Sequence, residues 1–213
     1  MSSASTVNSH AVALPAASAP AASGVIAETS ADRASRSGIW LGLFTITMSF
    51  AAFTSALFVR EGTSDWGHIV LPSILYFNTF LLLCSSATIE ISRRGLSGGR
   101  LIDAQKSRKG IVWLLFTLLL GIAFCVGQFM AWQQLRAEGL YLATNPNSSF
   151  FYVLTCMHVL HLVAGIAVLT YLTGRILATH RTLRRSLFDN VAIYWHFLGI
   201  LWVYLFGLCL MKL

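Results

Sequence analysis

The chain has 213 residues, of which 56% are hydrophobic and only 11% charged, and it carries a formal net charge of +7. A positive mean hydropathy goes with too little polar side chain to cover a soluble globule of this length, which excludes a soluble enzyme or binding domain and points to a membrane protein. The excess of basic residues is accounted for below by topology, so it calls for no nucleic-acid partner.

Residues 1–37 are rich in Ala, Ser and Pro and show no apolar face. They also lack a basic segment followed by an apolar one, so they read as a disordered N-terminal tail and not as a cleaved leader. From residue 38 to 213 the chain reads as one all-α domain of five transmembrane helices. The spans are expected at 39–59, 69–91, 111–132, 150–174 and 191–211, each long enough for a hydrocarbon core that needs about 20 helical residues. Pro72 is expected in the first turn of the second span, where it leaves the helix straight.

Arg33, Arg36, Arg93, Arg94, Arg100, Lys106, Arg108, Lys109, Arg175, Arg181, Arg184 and Arg185 all fall in the tail or in the second and fourth loops. Only Arg60, Arg136 and Lys212 fall on the other side. The positive-inside rule then places the N-terminus in the cytoplasm and the C-terminus outside. Cys84, Cys125, Cys156 and Cys209 lie on four different spans without CxxC spacing and read as reduced packing residues.

Ionisable groups within a membrane are expensive and are candidate functional sites. Of the acids only Glu90 falls inside a span, at its cytoplasmic end. Its spacing to Arg93 and Arg94 suits an i,i+3 or i,i+4 ion pair at the interface. No helix carries a central acid or a Gly/Pro-broken centre, which disfavours a pump or an independent channel or transporter.

The histidines need a closer reading. His158 and His161 stand one turn apart in an apolar run, and His196 lies near the cytoplasmic end of the fifth span. At about 1.5 Å per residue, His161 and His196 differ in depth by on the order of 6 Å. A bis-His haem needs ligands at one level, and a zinc or copper site needs three or four converging groups. Neither condition fits well, so haem or metal ligation is weighed below a role as polar links between helices. Asn78, Gln128, Thr155, Ser85 and Ser86 are expected to act in the same way, as interhelical hydrogen-bonding groups. Trp113, Trp132, Tyr152, Trp195, Trp202 and Tyr204 fall partly near span ends, where an interfacial aromatic belt is expected.

These polar residues form a recurring pattern. "GIWLGLFTITMSFAAFTSALFVREG", "LPSILYFNTFLLLCSSAT", "LLLGIAFCVGQFMAW", "SSFFYVLTCMHVLHLVAG" and "NVAIYWHFLGILWVYLF" occur in order on the five spans. Together they resemble subunit III of the haem-copper terminal oxidases, in the short five-helix form also seen in bacterial quinol oxidases. The resemblance covers the chain from about Gly38 to its end and includes a His-x-x-His-x-x-x-Gly and a Trp-His-Phe pattern.

The resemblance implies a non-redox subunit of a respiratory oxidase in the bacterial inner membrane, part of a multisubunit oxidoreductase but without catalytic residues of its own. Haem and copper would sit in partner subunits, subunit I and subunit II would be the neighbours, and phospholipid would fill the contacts. His158, His161 and His196 would correspond to structural histidines. Two departures stand out: a family Glu in the first helix falls here at about Ile46, and the family's acid after Trp-His-Phe-Val is replaced at Gly199. A quinol oxidase or nitric oxide reductase subunit and, from a different class, a stand-alone bis-His membrane cytochrome remain alternatives.

Overall fold

A computed structural model describes residues 20–61, 71–96, 101–102, 108–141, 146–179 and 183–212, with side chains in the first helix described from Arg33 to Arg60. The elements are α1 (Pro20–Glu61), α2 (Ile74–Gly95), β1 (Leu101–Ile102), α3 (Arg108–Ala137), α4 (Pro146–Thr179), β2 (Leu183–Arg184) and α5 (Arg185–Lys212). All five helices contain a stretch long and apolar enough to cross a membrane. The all-α expectation holds, apart from one two-residue antiparallel pair in which Leu101 faces Arg184 and Ile102 faces Leu183. That pair brings the loops after α2 and α4 to the same end of the bundle.

The helices depart from the hydropathy spans at their ends. α1 starts at Pro20, well before residue 39, and Ser35 already accepts a 2.8 Å hydrogen bond from the Asn190 amide of α5. The tail boundary drawn at 37 therefore does not mark where helix begins. The reason lies in the residues: alanine is the strongest helix former, so an Ala-rich polar segment can extend a helix that hydropathy alone would stop at the membrane edge. In contrast, α2 starts later than expected, at Ile74, with Ser73 as its N-cap and Pro72 just ahead of it. Proline disfavours helical backbone in the residue before it, so helix cannot readily run in from the N-terminal side. Residues 69 and 70 lie outside the described residues.

α3 ends on a glycine stop. Gly139 adopts φ +81°, the Gly139 amide donates to Arg136 O at 3.0 Å and the Leu140 amide reaches back to Leu135 O at 3.0 Å. This crossed pair of bonds satisfies carbonyls the helix end would leave open, and it sets Leu140 against Leu135. The turn is then fastened to α4, because Tyr152 donates its hydroxyl to Leu140 O at 2.9 Å and Ser148 donates to Tyr141 O at 2.8 Å.

Within the bundle α2 and α3 lie closest. A Cβ on Gly95 would stand 3.2 Å from the Cα of Gly110, and one on Gly127 would clash with the side-chain oxygen of Asn78. Both positions need a bare backbone. Leu82, Leu114, Leu154, Leu162, Leu198 and Leu205 fill the interior from four helices. Phe44, Phe80, Leu119, Leu160 and Ile200 point outward. Such an apolar exterior would be anomalous in water and is what hydrocarbon or a neighbouring subunit requires. α1 is peripheral and packs on α4 and α5, where its Phe50 ring meets His161 at 5.8 Å.

Candidate functional site

Many polar side chains of the interior lie along a seam that follows α2 and continues between α3 and α4, while others, such as Thr54 on α1 and Thr173 on α4, lie apart from it. At the loop end, Glu90 accepts two bonds from Arg93, at 2.8 and 2.9 Å, and one from Arg94 Nε at 2.9 Å. Glu90 is thus paired with both arginines. It also extends to α5, since Arg93 lies 3.6 Å from Asp189 and Arg185 lies 3.7 Å from the other oxygen of Asp189. His196 Nε2 stands 3.9 Å from Glu90 Oε2, too far for a hydrogen bond but within range of the cluster's charge. Because these groups are only partly buried, each pair is worth at most about 1 kcal/mol.

Level with the cluster, Ser92 donates to Gly110 O at 2.8 Å, and one turn farther into the bundle the hydroxyls of Thr88 and Thr117 meet at 2.9 Å. Next, Trp195 donates its indole N–H to Ser85 at 3.1 Å, and Trp202 donates to Thr79 at 3.0 Å, both joining α5 to α2. Farther along, Trp132 donates to Thr155 at 3.1 Å, joining α3 to α4. In each of these indole links the accepting hydroxyl gives its own proton to a carbonyl one turn back: Ser85 to Leu82, Thr79 to Leu75, Thr155 to Phe151. A hydroxyl has one donor and two acceptor sites, so this geometry satisfies it and the indole without breaking either helix. An indole only donates, so these links fasten helices and cannot pass a proton along the seam.

Trp195 and Trp202 correct the aromatic-belt expectation: they are 0% and 1% exposed and lie in the core. The signal was present in the helical period, since residues 195, 198, 202 and 205 share one face with two buried leucines. Nearness to a span end hides it for Trp195, whereas Trp202 stands in the middle of its span. Trp113 remains partly exposed, in keeping with a belt.

The three histidines have different surroundings. His158 is wholly buried, with its ring 6.0 Å from that of Phe124 and 5.1 Å from that of Trp202. His161 Nδ1 stands 2.6 Å from Met157 O on its own helix, while its backbone carbonyl accepts the Tyr194 hydroxyl at 2.9 Å. The link from α4 to α5 at this position is thus made by the His161 backbone and the tyrosine, not by the imidazole. Asn78 and Gln128 are wholly buried like His158, and among the described residues none of the three has a hydrogen-bond partner for either polar side-chain atom. Thr155 and Ser85 link helices, and among the described residues Asn78, Gln128 and His158 make no direct hydrogen bond to another helix. Among the described residues no three His, Cys, Asp or Glu side chains gather as a metal site. Cys209 is buried, Cys84 and Cys125 half-buried and Cys156 exposed, all with free thiols.

Comparison with known proteins bears on this arrangement. The sequence profile of the family described as cytochrome c oxidase subunit III matches residues 33–211. The cytochrome bo(3) ubiquinol oxidase subunit 3 of Pseudomonas aeruginosa is 32% identical over 177 residues, covering 79% of this chain and 80% of the relative. The quinol oxidase subunit 3 of Bacillus subtilis is 32% identical over 186 residues, covering 83% and 86%. The cytochrome c oxidase subunit 3 of a Synechocystis species is 30% identical over 172 residues, covering 80% and 68%.

Proposed function

We propose that this chain, which belongs to the cytochrome c oxidase subunit III family and is a multi-pass subunit of a haem-copper terminal oxidase in a bacterial inner membrane, is the redox-inactive scaffold of its complex. In this reading it packs beside subunit I, with subunit II in the same assembly, and stabilises the catalytic core during oxygen reduction coupled to proton translocation. Haem and copper belong to those partners, and phospholipid fills the apolar contact between them and this bundle.

The observation that carries the reading is the seam itself. Its indole–hydroxyl links are complete, join α2 to α5 and α3 to α4, and end in groups that donate only. Side chains arranged in this way hold helices in register; they do not bind a redox centre or relay protons. The N-terminus is cytoplasmic and the C-terminus outside. The twelve-to-three distribution of basic residues supports this, as does the β1–β2 pair that gathers the two basic loops at one end. Glu90, Arg93 and Arg94 form an ion-paired anchor at that end, and His161 and His196 are structural.

The test is purification in mild detergent through a tag on this chain from its native membrane, with mass spectrometry of the proteins recovered. Co-purification of a polytopic haem-bearing subunit I with a subunit II is the expected result, and a copper-bearing or copper-free subunit II distinguishes cytochrome c from quinol as donor. Recovery of the chain alone and coloured would overturn the scaffold reading in favour of a bis-His cytochrome.

A further inference from the structure

Three side chains stand apart from the completed links. Asn78 on α2, Gln128 on α3 and His158 on α4 are wholly buried, and their six polar side-chain atoms have no hydrogen-bond partner among the described residues. A closed circuit of contacts brings them to one level. Asn78 lies against Gly127, the residue before Gln128. Phe124, one turn back along α3 from Gln128, packs edge-on against the rings of His158 and Trp202, at 6.0 and 4.8 Å. Trp202 in turn packs on His158 and donates its indole N–H to Thr79, the neighbour of Asn78.

The chemistry of these groups selects what can satisfy them. Each amide offers two donors and one carbonyl acceptor, and a neutral imidazole offers one donor and one acceptor. An apolar ligand would leave all six atoms unsatisfied, which is especially unfavourable within hydrocarbon where no bulk solvent competes. An ion would meet no carboxylate, lysine or arginine among these residues. Water, with two donors and two acceptor sites, is the complement, and a buried water is held by two to four such partners.

We infer that Asn78, Gln128 and His158 hold internal water between α2, α3 and α4, in a small polar site closed on the α5 side by Trp202. The water is the joint between α2, α3 and α4, which these three side chains do not link directly. Because Trp202 and its partner Thr79 are already satisfied, the site is isolated from the rest of the seam. The inference does not depend on the oxidase assignment, since it concerns only contacts within this chain.

The test is a cryo-electron microscopy map of the intact complex at a resolution that shows ordered solvent. Density within hydrogen-bond distance of at least two of the three side chains is expected. Amides and imidazole bonded directly to one another, an acyl chain between them, or no density would each overturn the inference. A second measurement uses Asn78→Leu, Gln128→Met and His158→Phe, singly and together, read as the thermal midpoint at which the subunit leaves the complex. Since shared water serves all three, each single change strands the other two, and the triple variant loses less than the sum of the singles. Strictly additive losses would contradict a shared site. Should a single variant fail to assemble, the map of the unmodified complex decides.

Discussion

Replacing Ser85 by alanine removes the acceptor for the Trp195 indole, which donates to it at 3.1 Å in a fully buried position. The change deletes one oxygen and opens almost no space, so its effect is that of a hydrogen bond lost from a membrane interior. A buried donor left without a partner costs about 1–3 kcal/mol in soluble proteins. Within bilayers interhelical bonds average only about 0.6 kcal/mol and reach about 1.7, because the separated helices find other partners. Trp195→Phe removes the donor and also thins the ring that fills the space over Gly121, where an added Cβ would lie 2.9 Å from the indole. It should therefore cost more than Ser85→Ala, by about 1–2 kcal/mol of lost packing. A double-mutant cycle separates the two contributions. With unfolding followed by detergent titration in mixed micelles, the coupling between the two substitutions is expected at about 0.6 to 1.7 kcal/mol. A coupling indistinguishable from zero would refute the claim that these indole–hydroxyl links hold the helices together.

Four further outcomes follow from the same geometry. Gly127→Leu drives a side chain into Asn78 and should destabilise the α2–α3 pair by about 1–3 kcal/mol, seen as reduced complex yield. Gly139→Val forces a β-branched residue into φ +81° and should cost about 1–3 kcal/mol, measured as a lower thermal midpoint for the subunit. Arg93→Gln weakens a partly exposed cluster and should cost no more than about 1 kcal/mol, a difference that shrinks at high salt in the same stability assay. His161→Leu removes the imidazole contacts with Met157 O and the Phe50 ring and should lower complex yield, while the haem spectrum of assembled complex stays unchanged.

Hydropathy locates all five helices because a membrane span requires a long apolar run, and no other described element has that signature. It did not locate their ends. Pro72 and Ser73 set the start of α2 through backbone restriction, and the polar extension of α1 depends on helix propensity, so neither is written in hydropathy. Glu90, Arg93 and Arg94 were legible because their spacing is local to one helix. The extension of that cluster to Asp189 and Arg185 was not, since it depends on how α2 meets α5. The same distinction separates Ser85 and Thr155, recognisable as polar groups in apolar spans, from their partners Trp195 and Trp132, which are distant in sequence. Asn78, Gln128 and His158 were recognised as buried polar groups, but direct bonding between helices is not what the packing gives them.

As a redox-inactive scaffold, this chain supports the oxidase without holding a redox centre of its own. The most direct measurement is the haem and copper content, per subunit I, of the purified complex before and after selective removal of this chain with detergent. Identical haem spectra and metal ratios are expected in the two preparations, with the depleted complex losing activity sooner during turnover. A haem band or metal that leaves with this chain would contradict the scaffold role.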